Sequence, residues 1–116
     1  MRWLNYLRLG IGGGSGANEV VSAYRKPLGY TQILNATLAA STGIVMPTPI
    51  SSYVPGFAVI QCQGGIVRWR DDGVAPTATV GMSLPSGAEL DYVGDISAIR
   101  FISSSGTPIL DISLYA

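Results

Sequence analysis

The chain has 116 residues, with seven Lys or Arg against seven Asp or Glu, no His and a single Cys. That length holds one hydrophobic core, and so few basic residues leave no electrostatic footprint for nucleic acid. One Cys without His excludes an intrachain disulfide, a zinc cluster of Cys and His, and any Ser-His or Cys-His nucleophile.

Residues 1–27 read as an N-terminal arm. Trp3, Leu4, Tyr6, Leu7 and Leu9 make an aromatic, apolar tip interrupted by Asn5 and Arg8, too short and too polar for a signal peptide or a membrane span. Behind it, Gly10 to Gly16 cannot hold regular structure unaided, because glycine loses the most backbone freedom on ordering. Its glycines fit neither the dinucleotide nor the phosphate-loop spacing. The segment is therefore a tether, and the five apolar side chains at its tip are the expected partner-binding residues. The arm is expected to order on a neighbouring subunit, with packing on its own body as the alternative. Ordering a dozen residues costs on the order of 10 kcal/mol of backbone entropy, so the tip must bury substantial area.

Residues 28–116 are expected to form an all-β domain, after a short strand at Val20 to Tyr24. Fifteen Gly, seven Pro and only 12% charged residues favour short strands and tight turns. Hydrophobic residues reach 47%, more than a small monomer hides, so other subunits should cover part of the surface. Thr31 to Leu38 alternates imperfectly, and Ile44 to Met46 stops at Pro47 and Pro49, which cannot donate to a ladder. Phe57 to Gln63 and Ile66 to Arg70 read as strands joined by a two-residue hairpin at Gly64-Gly65. Cys62 falls in this apolar run and is expected to be a buried, unreactive thiol. Thr77 to Leu84, Ala88 to Tyr92, Ser97 to Ile102 and Pro108 to Leu114 follow. About eight strands at spacings of roughly 8 to 12 residues predict a jelly-roll-like β-sandwich.

The scarce charges concentrate late in the chain. Residues 1–60 carry Arg2, Arg8, Arg25 and Lys26 against Glu19, while residues 61–116 carry three Arg against six carboxylates. Opposite signs in the two halves suit head-to-tail contact between copies, or neutralisation within one folded chain. Arg68, Arg70, Asp71, Asp72 and Arg100 are expected to form a structural polar network in which arginines pair with aspartates. Asp71 and Asp72, followed by Gly73, suit a turn whose carboxylates cap backbone amides.

Paired-carboxylate catalysis by Asp71, Asp72, Glu89, Asp91 or Asp95 is the remaining enzymatic option and ranks below that structural role. Lys26, the only lysine, sits beside a proline turn and in no recognisable nucleophile motif. The aspartates match no calcium-loop spacing, so neither a metal nor another cofactor is expected. Trp69, Tyr92 and Phe101 offer a sugar-stacking platform, yet aromatic side chains on strands supply buried area first. Asn35-Ala36-Thr37 fits a glycosylation acceptor without a secretory signal to support it.

The run Val67-Arg68-Trp69-Arg70-Asp71-Asp72-Gly73-Val74-Ala75-Pro76-Thr77-Ala78-Thr79-Val80-Gly81-Met82, followed by Gly94-Asp95-Ile96-Ser97-Ala98-Ile99-Arg100-Phe101-Ile102, resembles a group of small structural proteins of tailed bacteriophages. The resemblance extends from about Leu28 to the C-terminus, roughly three quarters of the chain. It implies a non-enzymatic role in the virion, foremost a capsid decoration or cement protein that binds the outer shell and stabilises neighbouring capsid subunits. Its partners would be the major capsid protein or another virion protein, and further copies of itself in a homo-oligomer, without nucleic acid or membrane. The alternatives are a tail, baseplate or fibre-attachment component and, from a different class, a receptor- or carbohydrate-binding module.

Overall fold

The computed structural model describes residues 25–46 and 54–116. The arm tip from Trp3 to Leu9, the tether, the strand expected at Val20 to Tyr24, and Pro47 and Pro49 lie outside the described residues.

The described residues form six strands, β1 (Pro27–Ile33), β2 (Thr42–Gly43), β3 (Phe57–Arg70), β4 (Met82–Leu84), β5 (Glu89–Val93) and β6 (Arg100–Tyr115), with one 3-10 turn at Thr37–Ala39. All six belong to one antiparallel sheet, the all-β class that the composition predicts. The long strands β3 and β6 pair along their length at its centre. At one end β1 extends the sheet beyond β6 and β5 extends it beyond β3; at the other, β2 and β4 take those places. Lys26 and Ala116 exchange backbone hydrogen bonds of 3.2 and 2.9 Å, so the bonded body begins ahead of the residue-28 boundary.

Gly64-Gly65 is not a hairpin turn. The chain passes through it without reversing direction, and the segments on either side pair with β6 instead of with each other. Gly64 (φ 84°) and Gly106 (φ 72°) hold conformations that side chains disfavour. A Cβ on Gly64 would lie 2.7 Å from the Thr107 carbonyl oxygen, one on Gly106 would lie 2.8 Å from the Gly64 oxygen, and one on Gly65 would strike the Ser105 carbonyl. Three glycines thus let the central strands cross at close range, with register shifts on both sides of the crossing. The same merging joins the strands expected at Ser97 to Ile102 and Pro108 to Leu114 into β6, while the strand expected over Thr77 to Leu84 shrinks to β4.

Alternation then sets the core. Ala58, Ile60 and Cys62 of β3 face inward with Leu110, Ile112 and Leu114 of β6, and Val67 and Phe101 join them from the other end. Leu38, Ile96 and Ile99, from the connections, complete the same cluster. Trp69, near the end of β3, meets Tyr92 edge-on at 6.2 Å between ring centroids, although Tyr92 sits on β5 beside the opposite end of β3. The sheet therefore folds at its glycine crossing, and its two ends close over a single core.

Candidate functional site

The loop after β3 builds a concavity. Arg70 ends the strand, Asp71 to Gly73 turn the chain, and Met82 returns opposite Trp69 in β4. Pro76 is buried beneath this loop. Thr77 and Val80 exchange backbone hydrogen bonds of 2.9 and 3.2 Å, and the Thr77 hydroxyl oxygen accepts from the Val80 amide at 3.0 Å. Arg68 Nη1 donates to the Gly81 carbonyl at 2.9 Å and ties the returning strand to β3. Between the loop and the end of β3 lies a cleft of about 370 Å³, lined chiefly by Trp69, Arg70, Asp71, Asp72, Val80 and Met82. Its apolar rim is open to solvent, with Val80 50% and Met82 60% exposed, and Val74 lies exposed on the same loop.

Carboxylates hold this rim in shape. Arg70 grips Asp72 with two guanidinium nitrogens, Nε at 3.0 Å, and Asp72 also accepts from the Val74 amide at 3.4 Å. The Arg70 hydrogen bond holds the Asp72 carboxyl below the usual range and raises the guanidinium pKa in turn. Tyr92 donates its hydroxyl to Asp71 Oδ2 at 2.9 Å. Burial, then the hydrogen bond to Asp71 and the charges of Asp71 and Asp95, push the Tyr92 phenol up to about 12. Asp95 accepts from the Ser97 hydroxyl and amide at 2.6 and 2.9 Å, which lowers its pKa.

The expected polar network thus divides. Arg70, Asp71 and Asp72 line the cleft; Arg68 lies behind it, with its buried Nε lacking a hydrogen-bond partner. Arg100 is elsewhere, clasping the Ser41 hydroxyl at 2.9 Å and carbonyl at 2.8 Å beside β2. Among the described residues, no arginine is seen to meet a buried aspartate: the Arg70–Asp72 pair is at the surface, where such pairs add little. Nor do Trp69, Tyr92 and Phe101 form an exposed platform, since Phe101 is fully buried and Tyr92 nearly so. Asp71 and Asp72 accept from different partners, the Tyr92 phenol and the Arg70 guanidinium. Among the described residues, no three His, Cys, Asp or Glu side chains are placed to hold a metal.

A second feature escapes sequence reading. Gln32, Asp111, Gln61 and Glu89 lie in register across β1, β6, β3 and β5, on the face away from the core. Tyr30 and Gln32 donate to Asp111 Oδ1 at 2.7 and 2.8 Å, Gln63 donates to Oδ2 at 2.8 Å, and Gln61 donates to Glu89 at 3.1 Å. The bond to Asp111 raises the Tyr30 pKa. Hollows of about 280 and 150 Å³ flank this row and share Gln61 and Asp111. The alternation of Gln61 and Gln63 with Ile60 and Cys62 marks the outward face, but the four-strand alignment depends on pairings between distant segments.

Searches for known relatives return nothing: no family model, curated protein or solved structure matches the chain.

Proposed function

We propose that this chain is a non-enzymatic structural protein of a tailed-bacteriophage virion, foremost a capsid decoration or cement protein that binds the outer shell and bridges neighbouring capsid subunits. The observation that carries the reading is the cleft beside Trp69. The residues that resemble phage structural proteins build it, and they build a surface for contact: an apolar rim on a loop pinned by Arg68, Arg70 and Asp72. A shell-binding protein needs such rigid, exposed apolar area, repeated on every copy, and gains from an arm that docks on a neighbour. Mass spectrometry of purified particles, followed by a map of the intact virion, tests the proposal. Density on the outer shell is the expected result. Absence from particles overturns it, and density in the tail transfers the protein to the tail, baseplate or fibre-attachment reading.

The polar row around Asp111 favours one further reading, a receptor- or carbohydrate-binding module. Planar amides and carboxylates beside the exposed Tyr30 ring offer the paired donors and acceptors that sugar hydroxyls use. On a glycan array, saccharide binding that Asp111→Ala abolishes would support this module, and no binding would dismiss it.

A further inference from the structure

We infer that the cleft beside Trp69 is the seat for residues 2–9 of a neighbouring copy of this chain. The inference rests on the reading of the protein as a repeated building block that shares its arm, and it names the surface the arm meets.

Size and shape come first. At about 370 Å³ the cleft is at the small end of pockets that enclose ligands, roughly 300–1,000 Å³, which suits an inserted side chain or two and not a whole folded partner. Its apolar lining is Trp69, Val80 and Met82. An indole or phenol from the tip would meet the Trp69 ring and the Met82 thioether, both favourable neighbours for an aromatic group. Trp3 and Tyr6 supply such groups, with Leu4 and Leu7 beside them.

Charge agrees. Arg2 precedes the apolar tip and Arg8 interrupts it, whereas the cleft lining holds two carboxylates, Asp71 and Asp72, to one guanidinium, Arg70. Asp71 receives a hydrogen bond from Tyr92 at one oxygen, which leaves lone pairs open to an incoming guanidinium. Length also agrees: fifteen residues lie between Leu9 and Arg25, a reach of at most about 55 Å, enough to cross to an adjacent subunit. A basic apolar tip and an acid-rimmed apolar cleft on each copy make a heterologous contact, which closes into rings or runs on as a chain.

Two full-length variants, Leu7→Cys and Val80→Cys, test this when mixed under mild oxidation. A disulfide-linked species of twice the 12.1 kDa chain mass is expected, at least about tenfold more abundant than from either variant alone or from the parent, whose one thiol, Cys62, is buried. In sedimentation runs the parent should self-associate, and Met82→Asp or removal of residues 2–9 should each weaken association by about tenfold or more. Met82 is exposed, so the first variant should keep the parent's melting curve, and Val80→Arg gives a second probe of the same rim. Four results would each overturn the inference: a parent that stays monomeric, arm removal that dissociates the protein while both cleft variants do not, no mixed cross-link, or a Leu7→Cys/Val80→Cys double variant that closes within one chain at a concentration-independent rate. Particle mass spectrometry keeps the two proposals apart. Shell-bound protein without the cross-link sinks this seat alone, and a cross-linking protein absent from particles sinks the virion reading alone.

Discussion

Tyr92 joins the core to the cleft. Its ring packs against Trp69 while its hydroxyl donates to Asp71 at 2.9 Å and to the Asp95 carbonyl at 3.3 Å. Replacing Tyr92 by Phe keeps the ring and leaves Asp71 without that donor, so the protein should lose about 1 kcal/mol, read as a lower urea midpoint. The pH dependence has a defined sign. The folded-state pKa of about 12 lies above the ordinary 10.0, so the proton is held more tightly in the folded chain. That contribution is complete below pH 10 and disappears as pH climbs through about 12, where the phenolate would face Asp71. The parent should therefore destabilise more steeply than Tyr92→Phe over that window; parallel curves would show that the hydroxyl is not coupled to folding.

At this scale the sequence was informative about chemistry and silent about partners. Of the two turn aspartates expected to cap amides, Asp72 accepts from the Val74 amide, whereas Asp71 accepts from the Tyr92 hydroxyl. Cys62 is buried as its apolar setting implies, and burial pushes its thiol pKa up. Arg70 and Asp72 are only two residues apart, but the choice of Tyr92 by Asp71 depends on how the fold brings β5 to the far end of β3. No local pattern carries that information.

The glycine crossing is where local and long-range readings part. A Gly-Gly pair between two apolar runs suits a hairpin turn, and it equally suits a place where two strands cross too closely for side chains. Only the distant Gly106 decides between them. A graded series measures the difference. Gly73 has φ 86° with nothing within 4 Å of where a methyl group would sit, so Gly73→Ala should cost only left-handed strain, about 1–2 kcal/mol. Gly64→Ala adds a backbone clash at 2.7 Å to the same kind of strain, and should cost at least about 2 kcal/mol more, enough to threaten folding. Equal losses at the two positions, measured by chemical denaturation, would refute the crossing as a steric requirement.

The pinned loop yields a second prediction at this scale. Arg68→Met keeps the stem and removes the bond to the Gly81 carbonyl, so the loop from Thr77 to Gly81 should open more often. Amide exchange at Val80 should accelerate severalfold while amides of Ile60 and Ile112 in the core strands keep their protection. Unchanged exchange would mean that the Thr77–Val80 turn holds itself.

For the molecule as a whole, composition indicated an all-β chain with one core, and the sheet delivers both, because alternation needs only local spacing while β-branched and turn residues dominate throughout. Strand number was harder to read: Ser103 to Thr107 lacks apolar alternation, yet β6 continues through it on the strength of its pairing with β3. The arm poses the remaining question at this scale, and deletion of residues 1–16 answers it. Among the described residues the buried cluster runs from Ile33 onward, and removal should leave the melting temperature within a few degrees of the parent. The loss should fall on assembly instead: fewer copies per particle, counted by quantitative mass spectrometry of purified virions. A truncated protein that melts far earlier would assign the tip to its own body, and one that fills particles at parental occupancy would remove the arm from the contact altogether.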